Sequence, residues 1–456
     1  MKTEALVAFK RCCDAVSPFN CVEKALRLTD DRLVVTSASG SAVSLPMTAD
    51  TRFVLTAFGK ASIPMALAAE QQLGPRLQAG TVIAPSTLAT RDWKLRSRIY
   101  YGARNNLPDS DSVAATHKAV DSIRENDGAD VVFLFLVSGG GSALLCAPEG
   151  VSLEAKLATI RTLTSNGADI RVLNAFRQKL SAVKGGKTLD LVRNGRVVSL
   201  LVSDLIDDLV QFIASGPTIP QTSAMIEMAR AILTSPKWTS LLPEEILNKI
   251  QEPSPTASHS VEPLNVVIAS NRLALAELKE YFTAQGYDAH VVSSSIEGNA
   301  TEVGRMFAGL IAAGRDDLPT KLKEFGGNDI YPKGNKIALL FGGETTVIIH
   351  GGGKGGRCQE MALSCLISLA SSPSREASFL FLAAGTDGQD GPTDAAGALI
   401  TVDDIREDVA SRALGFLNTS NSYEFWTTHN EGRNHIKCGP TGTNVMDIQI
   451  VLLRFT

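Results

Sequence analysis

No apolar run in this chain approaches the roughly 20 residues needed to cross a bilayer. The strongest, such as Val131–Val137 (VVFLFLV), ends after a few residues. The opening stretch MKTEALVAFKRCC lacks the apolar core and small-residue cleavage site of a signal peptide. It is also too acidic, and too soon amphipathic, for a convincing mitochondrial presequence, so a cytoplasmic location is expected, with a mitochondrial one as the alternative. The seven cysteines are scattered and form no C-x-x-C, which points to reduced thiols rather than a disulfide framework. None of the six histidines sits in H-E-x-x-H, and His429 and His435 lie in a polar stretch with no further ligand nearby, so no zinc site is expected. A net charge of −4, with no basic run and no RNP-like aromatic motif, gives no reason to expect nucleic acid or an acidic membrane as partner.

What the chain does have is length and glycine. With 456 residues, 44% hydrophobic and 20% charged, it has the composition of a globular enzyme too long for one ordinary core, so two domains are expected. Apolar runs alternate with helical patterns, which reads as parallel α/β throughout. The first set of strands is Phe53–Phe58, Thr81–Ser86, Val131–Ser138 and Val197–Ser203, with helices over Ser152–Ser165 and Ala168–Val183. Glu252–Pro263 carries three prolines and no periodicity, and is read as the interdomain linker. A second set follows: Asn265–Ser270, His290–Ser294, Ile337–Glu344, Val347–Gly351, Phe379–Gly385 and Asp447–Leu453. The polar stretch from Gly314 to Lys336 reads as a surface loop.

The most informative segment is Gly385–Ala398 (GTDGQDGPTDAAGA), which follows the apolar run Phe379–Ala384. Glycines permit tight turns there, and Asp387, Asp390 and Asp394 are available to hold Mg²⁺ or accept a substrate proton. Asp387 and Asp390 are expected to act in catalysis, and Asp394 to cap the segment after Pro392. An EF-hand is excluded by the spacing.

Other polar clusters also sit at strand ends, where open parallel sheets bind ligands. Gly59-Lys60-Ala61 places a lysine at a helix start, suited to an anion or simply solvated. In Ser138-Gly139-Gly140-Gly141-Ser142 consecutive amides and two hydroxyls suit an anion cradle, whereas a G-x-S-x-G nucleophile fails because position 144 is Leu. Gly186-Lys187-Thr188 ends like a P-loop, but position 181 is Ser and a helix precedes it. Lys184 and Arg177 are available to add positive charge, with solvated residues on a helix face as the default reading. Asp204, Asp207 and Asp208 are candidate metal or hydroxyl partners, and Ser215–Thr218 forms a rigid turn. Gly342–Thr346 and Gly351–Arg357 flank a strand and form a polyphosphate nest with Lys354 and Arg357, without the acidic residue a dinucleotide fold requires. In the helix that starts at Arg357, Met361, Cys365 and Leu369 form a core stripe. Gly439–Asp447 is a further small polar loop beside a strand.

Taken in order, GKA, SGGGSAL, KGGK, SD…SGPT, GGETTV, GGRCQE, GTDGQDGPTDAAGA and GPTGTNVMD resemble the two-domain glycerate kinases whose C-terminal half is the MOFRL domain. Asn106-Leu107-Pro108-Asp109 is similar to the animal type. The resemblance implies a Rossmann-like parallel domain over 1–252, a MOFRL-containing α/β domain over 264–456, and an active site in a cleft between them. It implies phosphorylation of D-glycerate by ATP with Mg²⁺, usually to 2-phosphoglycerate, by a monomer or homodimer. Lys60 and Arg357 correspond to the family's catalytic lysine and arginine. Ser138, Gly139, Gly140, Gly141, Ser142, Lys184, Asp204, Glu344, Thr345, Gly353, Lys354, Gly355 and Asn444 are then expected to bind nucleotide, phosphate or substrate. Asp204 and Asp387 are the expected metal ligands. Two positions depart from the family pattern: Cys358 replaces the asparagine of GGRNQE, and Asp207 the glycine of SDxxGD. The competing readings are a hydroxypyruvate reductase, for which no nicotinamide site is found, and a non-catalytic sensor, which has no reason to keep Lys60, Arg357 and the aspartate loop.

Overall fold

The computed structural model describes residues 1–253, 259–371, 376–406 and 408–455. It divides into two compact units, Pro18–Ala269 and Met1–Ser17 with Ser270–Thr456. The expected linker is thus described only at its two ends, and residues 254–258 lie outside the described residues. Among the described residues no helix is long and apolar enough to cross a membrane.

The first unit opens with a small antiparallel sheet of β1 (Leu26–Leu28), β2 (Arg32–Thr36) and β3 (Ala42–Pro46). Its main sheet contains β4 (Arg52–Phe58), β5 (Leu77–Pro85), β6 (Arg98–Gly102), β7 (Val131–Val137), β8 (Arg196–Val202) and β9 (Leu264–Ala269). Their order is β6-β5-β4-β7-β8-β9, and every neighbouring pair is parallel. Covering both faces with helices explains why β7 is apolar at every position instead of alternating. The chain runs outward from β4 to β6, then returns to the other side of β4 at β7, so the carboxyl ends of β4 and β7 form the topological switch point. Strand β9, expected to begin the second set, pairs with β8 instead. Parallel pairing joins segments far apart in the chain, and a short apolar run carries no record of its partner.

The second sheet comprises β10 (Asp288–Ile296), β11 (Lys336–Gly343), β12 (Ala377–Gly385), β13 (Gly397–Thr401), β14 (His435–Ile436) and β15 (Asp447–Phe455), in the order β10-β11-β15-β12-β13-β14. Only β10 and β11 run parallel, so this sheet is mixed rather than parallel. Strand β15 runs antiparallel between β11 and β12, which sets its first residue, Asp447, opposite Gly343 and Gly385 at the ends of both neighbours. The helices Ala300–Ala312 and Arg357–Ala370 cover one face, around a cluster of Phe307, Phe325, Phe341 and Phe381. Gly304 allows their close approach, since a Cβ there would lie 2.4 Å from the Met361 carbonyl oxygen.

Two further expectations change. Val347–Gly351 is not a strand; it joins no sheet, and Ile348 and Ile349 are 59% and 74% exposed. The stretch from Gly314 to Lys336 is more than a surface loop. It contains the helix Leu318–Lys323 and buries Leu318, Leu322 and Phe325.

Candidate active site

In the first unit, the switch point is built from glycine. Gly59 has φ +122°, and a Cβ there would lie 2.2 Å from Ser138 Oγ. Only glycine lets the turns after β4 and β7 meet this closely. The meeting is then fastened by two bonds: Lys60 N–H donates to the Gly139 carbonyl (2.8 Å), and Ala61 N–H to Ser138 Oγ (3.1 Å). Ser138 is therefore a buried clamp of the turn. The amides of Gly139 and Gly140 are half-buried and donate to no protein group among the described residues. The Lys60 side chain passes over Gly140, and the Asp204 carboxylate from the end of β8 lies against Gly139. Burial pushes the Asp204 pKa up, and Lys60 pulls it partly back. Lys60 itself is exposed. A point cation, free amides and a carboxylate thus surround one turn.

The stretch from Ile206 to Thr218 walls this turn. Four non-glycine residues there have positive φ: Asp207 (60°), Asp208 (51°), Ala214 (50°) and Ser215 (66°). Aspartate tolerates this region better than most residues, so Asp207 fits where the family pattern has glycine. Ser142 Oγ lies 2.9 Å from Ser215 Oγ. Lys184 is fully buried, and its Nζ donates to the carbonyls of Leu145 (2.9 Å) and Ala214 (3.4 Å). Burial, with Lys156 nearby, lowers its pKa to about 7, and a neutral amine still supplies both of these donors. Lys184 ties the segment after the glycine turn to the strained wall.

In the second unit, Arg357 is the first residue of its helix, preceded by Gly356, which has no side chain to cap it. Asp390 supplies the cap from the neighbouring loop, accepting from Cys358 N–H (3.1 Å), Gln359 N–H (2.9 Å) and Gln359 Nε2 (3.0 Å). Asp390 is 1% exposed, and burial raises its pKa to about 6 despite these donors. This corrects the expectation that Asp390 faces substrate: its oxygens serve the helix. A Cβ at Gly356 would lie 2.3 Å from Asp390 Oδ1, and one at Gly391 2.1 Å from the Gly355 carbonyl oxygen, so glycine on both sides lets the two loops interlock.

The Arg357 guanidinium donates through Nε (2.6 Å) and Nη2 (2.8 Å) to the two oxygens of Asp447, and its Nη1 meets Glu344 at 3.2 Å. Burial alone lowers the arginine pKa, but Asp447 more than reverses this. Asp387 is half-buried, and its Oδ1 accepts from Gln389 N–H (3.0 Å). Asp394 does not cap the segment after Pro392. It is exposed and bonded to Tyr423 Oη (2.6 Å) and Lys437 Nζ (3.1 Å), which together lower its pKa.

The remaining expected ligands are spread along these loops. Gly353 and Gly355 lie against residues 419–422, where a Cβ would meet Thr419 O at 2.4 Å and Ser422 Oγ at 2.1 Å. Lys354 is exposed, with Nζ 4.5 Å from the Tyr423 ring centre. Thr345 is buried, its hydroxyl without a partner among the described residues, and Asn444 accepts from Met446 N–H (3.1 Å). Gly141 is packed against Ala214 and Phe58. Asp447 was not among the expected residues. Its signals were an acid at the first position of a largely apolar strand and its place at the end of the motif GPTGTNVMD.

Among the described residues no three His, Cys, Asp or Glu side chains cluster as a metal site. Mg²⁺ commonly takes only one or two carboxylates beside substrate phosphates, and Asp204 has a carboxylate of that kind beside the amides of the glycine turn.

Amides and an exposed lysine at the switch point of a parallel sheet are the arrangement that suits an anionic group of phosphate type. Residues 4–251 match a family model described as a domain of unknown function (DUF4147), and residues 337–447 match the MOFRL family. An uncharacterized Caenorhabditis elegans protein is 44% identical, covering 98% of this chain and 97% of its own. Rattus norvegicus glycerate kinase is 35% identical, covering 87% and 84%. The crystal structure of glycerate kinase from Thermotoga maritima superposes with a TM-score of 0.78 at 30% identity, covering 99% of both chains. The chain belongs to the glycerate kinase family with DUF4147 and MOFRL domains.

Proposed function

We propose that this protein transfers the terminal phosphoryl group of ATP to D-glycerate, with Mg²⁺, forming 2-phosphoglycerate in preference to 3-phosphoglycerate. The observation that carries this reading is the switch-point turn, where Lys60, two amides without a partner among the described residues, and Asp204 converge in a chain similar to glycerate kinases over nearly all its length. The preference for the 2-position follows from the family resemblance.

Phosphoryl transfer requires positioning and charge neutralisation rather than a covalent nucleophile. In this reading Lys60 and the amides of Gly139 and Gly140 hold phosphate oxygens. Arg357 meets the charge that builds on the transferred group, and Asp387 aligns the accepting hydroxyl as an acceptor. Asp204 would hold Mg²⁺, which would neutralise phosphate charge when bound. Asp390 and Lys184 act by holding loops in place, the one as a helix cap and the other as a buried strut.

The test is ADP release by the purified protein with MgATP and D-glycerate. Release that depends on glycerate and stops with EDTA supports the proposal. No release, accompanied by NADH oxidation with hydroxypyruvate, replaces it with the reductase reading.

A further inference from the structure

Arg357 is held more rigidly than anion attraction alone requires. Its Nε and Nη2 edge is committed to Asp447, a carboxylate with no solvent exposure. Asp447 in turn is fixed by the sheet, as the first residue of a strand laddered on both sides. Met446, with φ +70°, turns the chain into this position. The thiol of Cys358 also faces Asp447; burial and the carboxylates of Asp447 and Asp390 keep it protonated and able to donate. Only Nη1 is directed elsewhere, to Glu344, whose side chain is 44% exposed.

Burying a carboxylate carries a desolvation cost that its ion pair often fails to recover, so such a pair is weak evidence of a purely stabilising role. Orientation is a better account. A bidentate fork leaves the guanidinium one plane and one free edge, whereas a lysine ammonium at the same place is a rotating point charge.

We propose that Asp447 is a positioning residue of the phosphoryl transfer: by gripping Nε and Nη2 it presents Nη1 of Arg357, now met by the exposed Glu344, to an anionic group of the substrate. This rests on the kinase reading above and goes beyond it by naming the residue through which Arg357 is set.

The experiment is an additivity cycle on full-length protein, with ADP release at saturating MgATP and D-glycerate as the readout and thermal unfolding alongside. Asp447→Asn is expected to lower kcat by about tenfold or more with little change in either KM, on the scale of a misplaced transition-state contact. In an Arg357→Ala background the same substitution is expected to change kcat by less than about twofold, because its route is already gone. Equal losses in both backgrounds, or a kcat within about twofold of wild type for Asp447→Asn alone, overturn the proposal. If Asp447→Asn does not fold, Arg357→Lys decides, since it keeps the charge and the pairing but loses the fork. It is expected to lose kcat by about tenfold or more, and a near-normal kcat overturns the proposal. Wild-type protein without glycerate-dependent turnover overturns the kinase reading and this inference together. Turnover in wild type with the contrary mutant results overturns the inference alone.

Discussion

Lys60 and Arg357 carry the same charge and are supported in opposite ways. Lys60 sits on an all-parallel sheet where backbone does the holding: its amide donates to the Gly139 carbonyl and the next amide, of Ala61, to Ser138 Oγ, while its side chain is exposed and near enough to Asp204 to act on that carboxylate. Arg357 sits on a mixed sheet where a side chain does the holding, and its guanidinium is gripped by a fully buried carboxylate. A mobile point charge can follow a phosphate through its movement, whereas a fixed fork defines one place for charge to develop. The contrast also predicts which cation the fold depends on.

The largest effect is expected at Arg357. Arg357→Ala should lower turnover by about a hundredfold or more. It should also destabilise the protein, because it strands the Asp447 charge in the core. Breaking a buried pair costs about 3–5 kcal/mol, and the partial exposure of the guanidinium places this one at the lower end. Reading Arg357 from sequence alone would make it a near-solvent residue with little effect on stability; the buried partner reverses that expectation. Thermal melts and ADP release measured together check both halves.

Lys60→Ala sharpens the comparison, with turnover falling by about a hundredfold and stability unchanged within about 0.5 kcal/mol. A large fall in melting temperature would mean that the lysine side chain helps hold the turn after all.

The aspartate loop gives the next test. Asp387→Asn should depress turnover strongly and leave melting temperature near wild type. Asp390→Asn should cost about 1–2 kcal/mol as a lost cap, because the amide turns an NH₂ group toward a backbone N–H. A pH series separates the two positions. Asp390 has a folded pKa near 6 against an ordinary 3.8, so the folded state holds this proton more tightly than the unfolded one. Its contribution to stability is full below about pH 4 and falls as pH rises through about 6, and Asp390→Asn should remove that fall. Unchanged pH dependence in the mutant would show that the carboxylate titrates like a free one.

The smallest effect is expected at Gln449, which is fully buried on β15 with neither amide atom partnered among the described residues. Gln449→Leu should leave stability unchanged or raise it by about 1 kcal/mol. A clear loss by chemical denaturation would reveal a bond to water or to Asp447 that matters.

Much of this was legible in the chain because the signals were local. Apolar runs buried on both faces marked β4, β5, β7, β8, β11 and β12, and the glycines after them marked the turns. Partnership was not legible. Nothing in Leu264–Ala269 says that it joins β8, and nothing in Asp447–Phe455 says that it inserts between β11 and β12. The Arg357–Asp447 pair follows from that insertion, so it was missed. Val347–Gly351 has the composition of a strand, but β-propensity reflects packing on a half-buried pleated surface, and Ile348 and Ile349 are exposed instead. Among Asp387, Asp390 and Asp394 the residue type is the same, and only the approach of the helix at Arg357 turns Asp390 inward. Asp207 shows the reverse case, since its positive φ explains why the family pattern has glycine there.

The most direct test of the account is the product itself. Phosphorus and carbon NMR of a reaction of D-glycerate, ATP and Mg²⁺ with the purified protein should show ADP and a phosphate ester on carbon 2 of glycerate. An ester on carbon 3 would overturn the positional assignment while leaving the kinase. Unchanged ATP and glycerate would contradict the account as a whole.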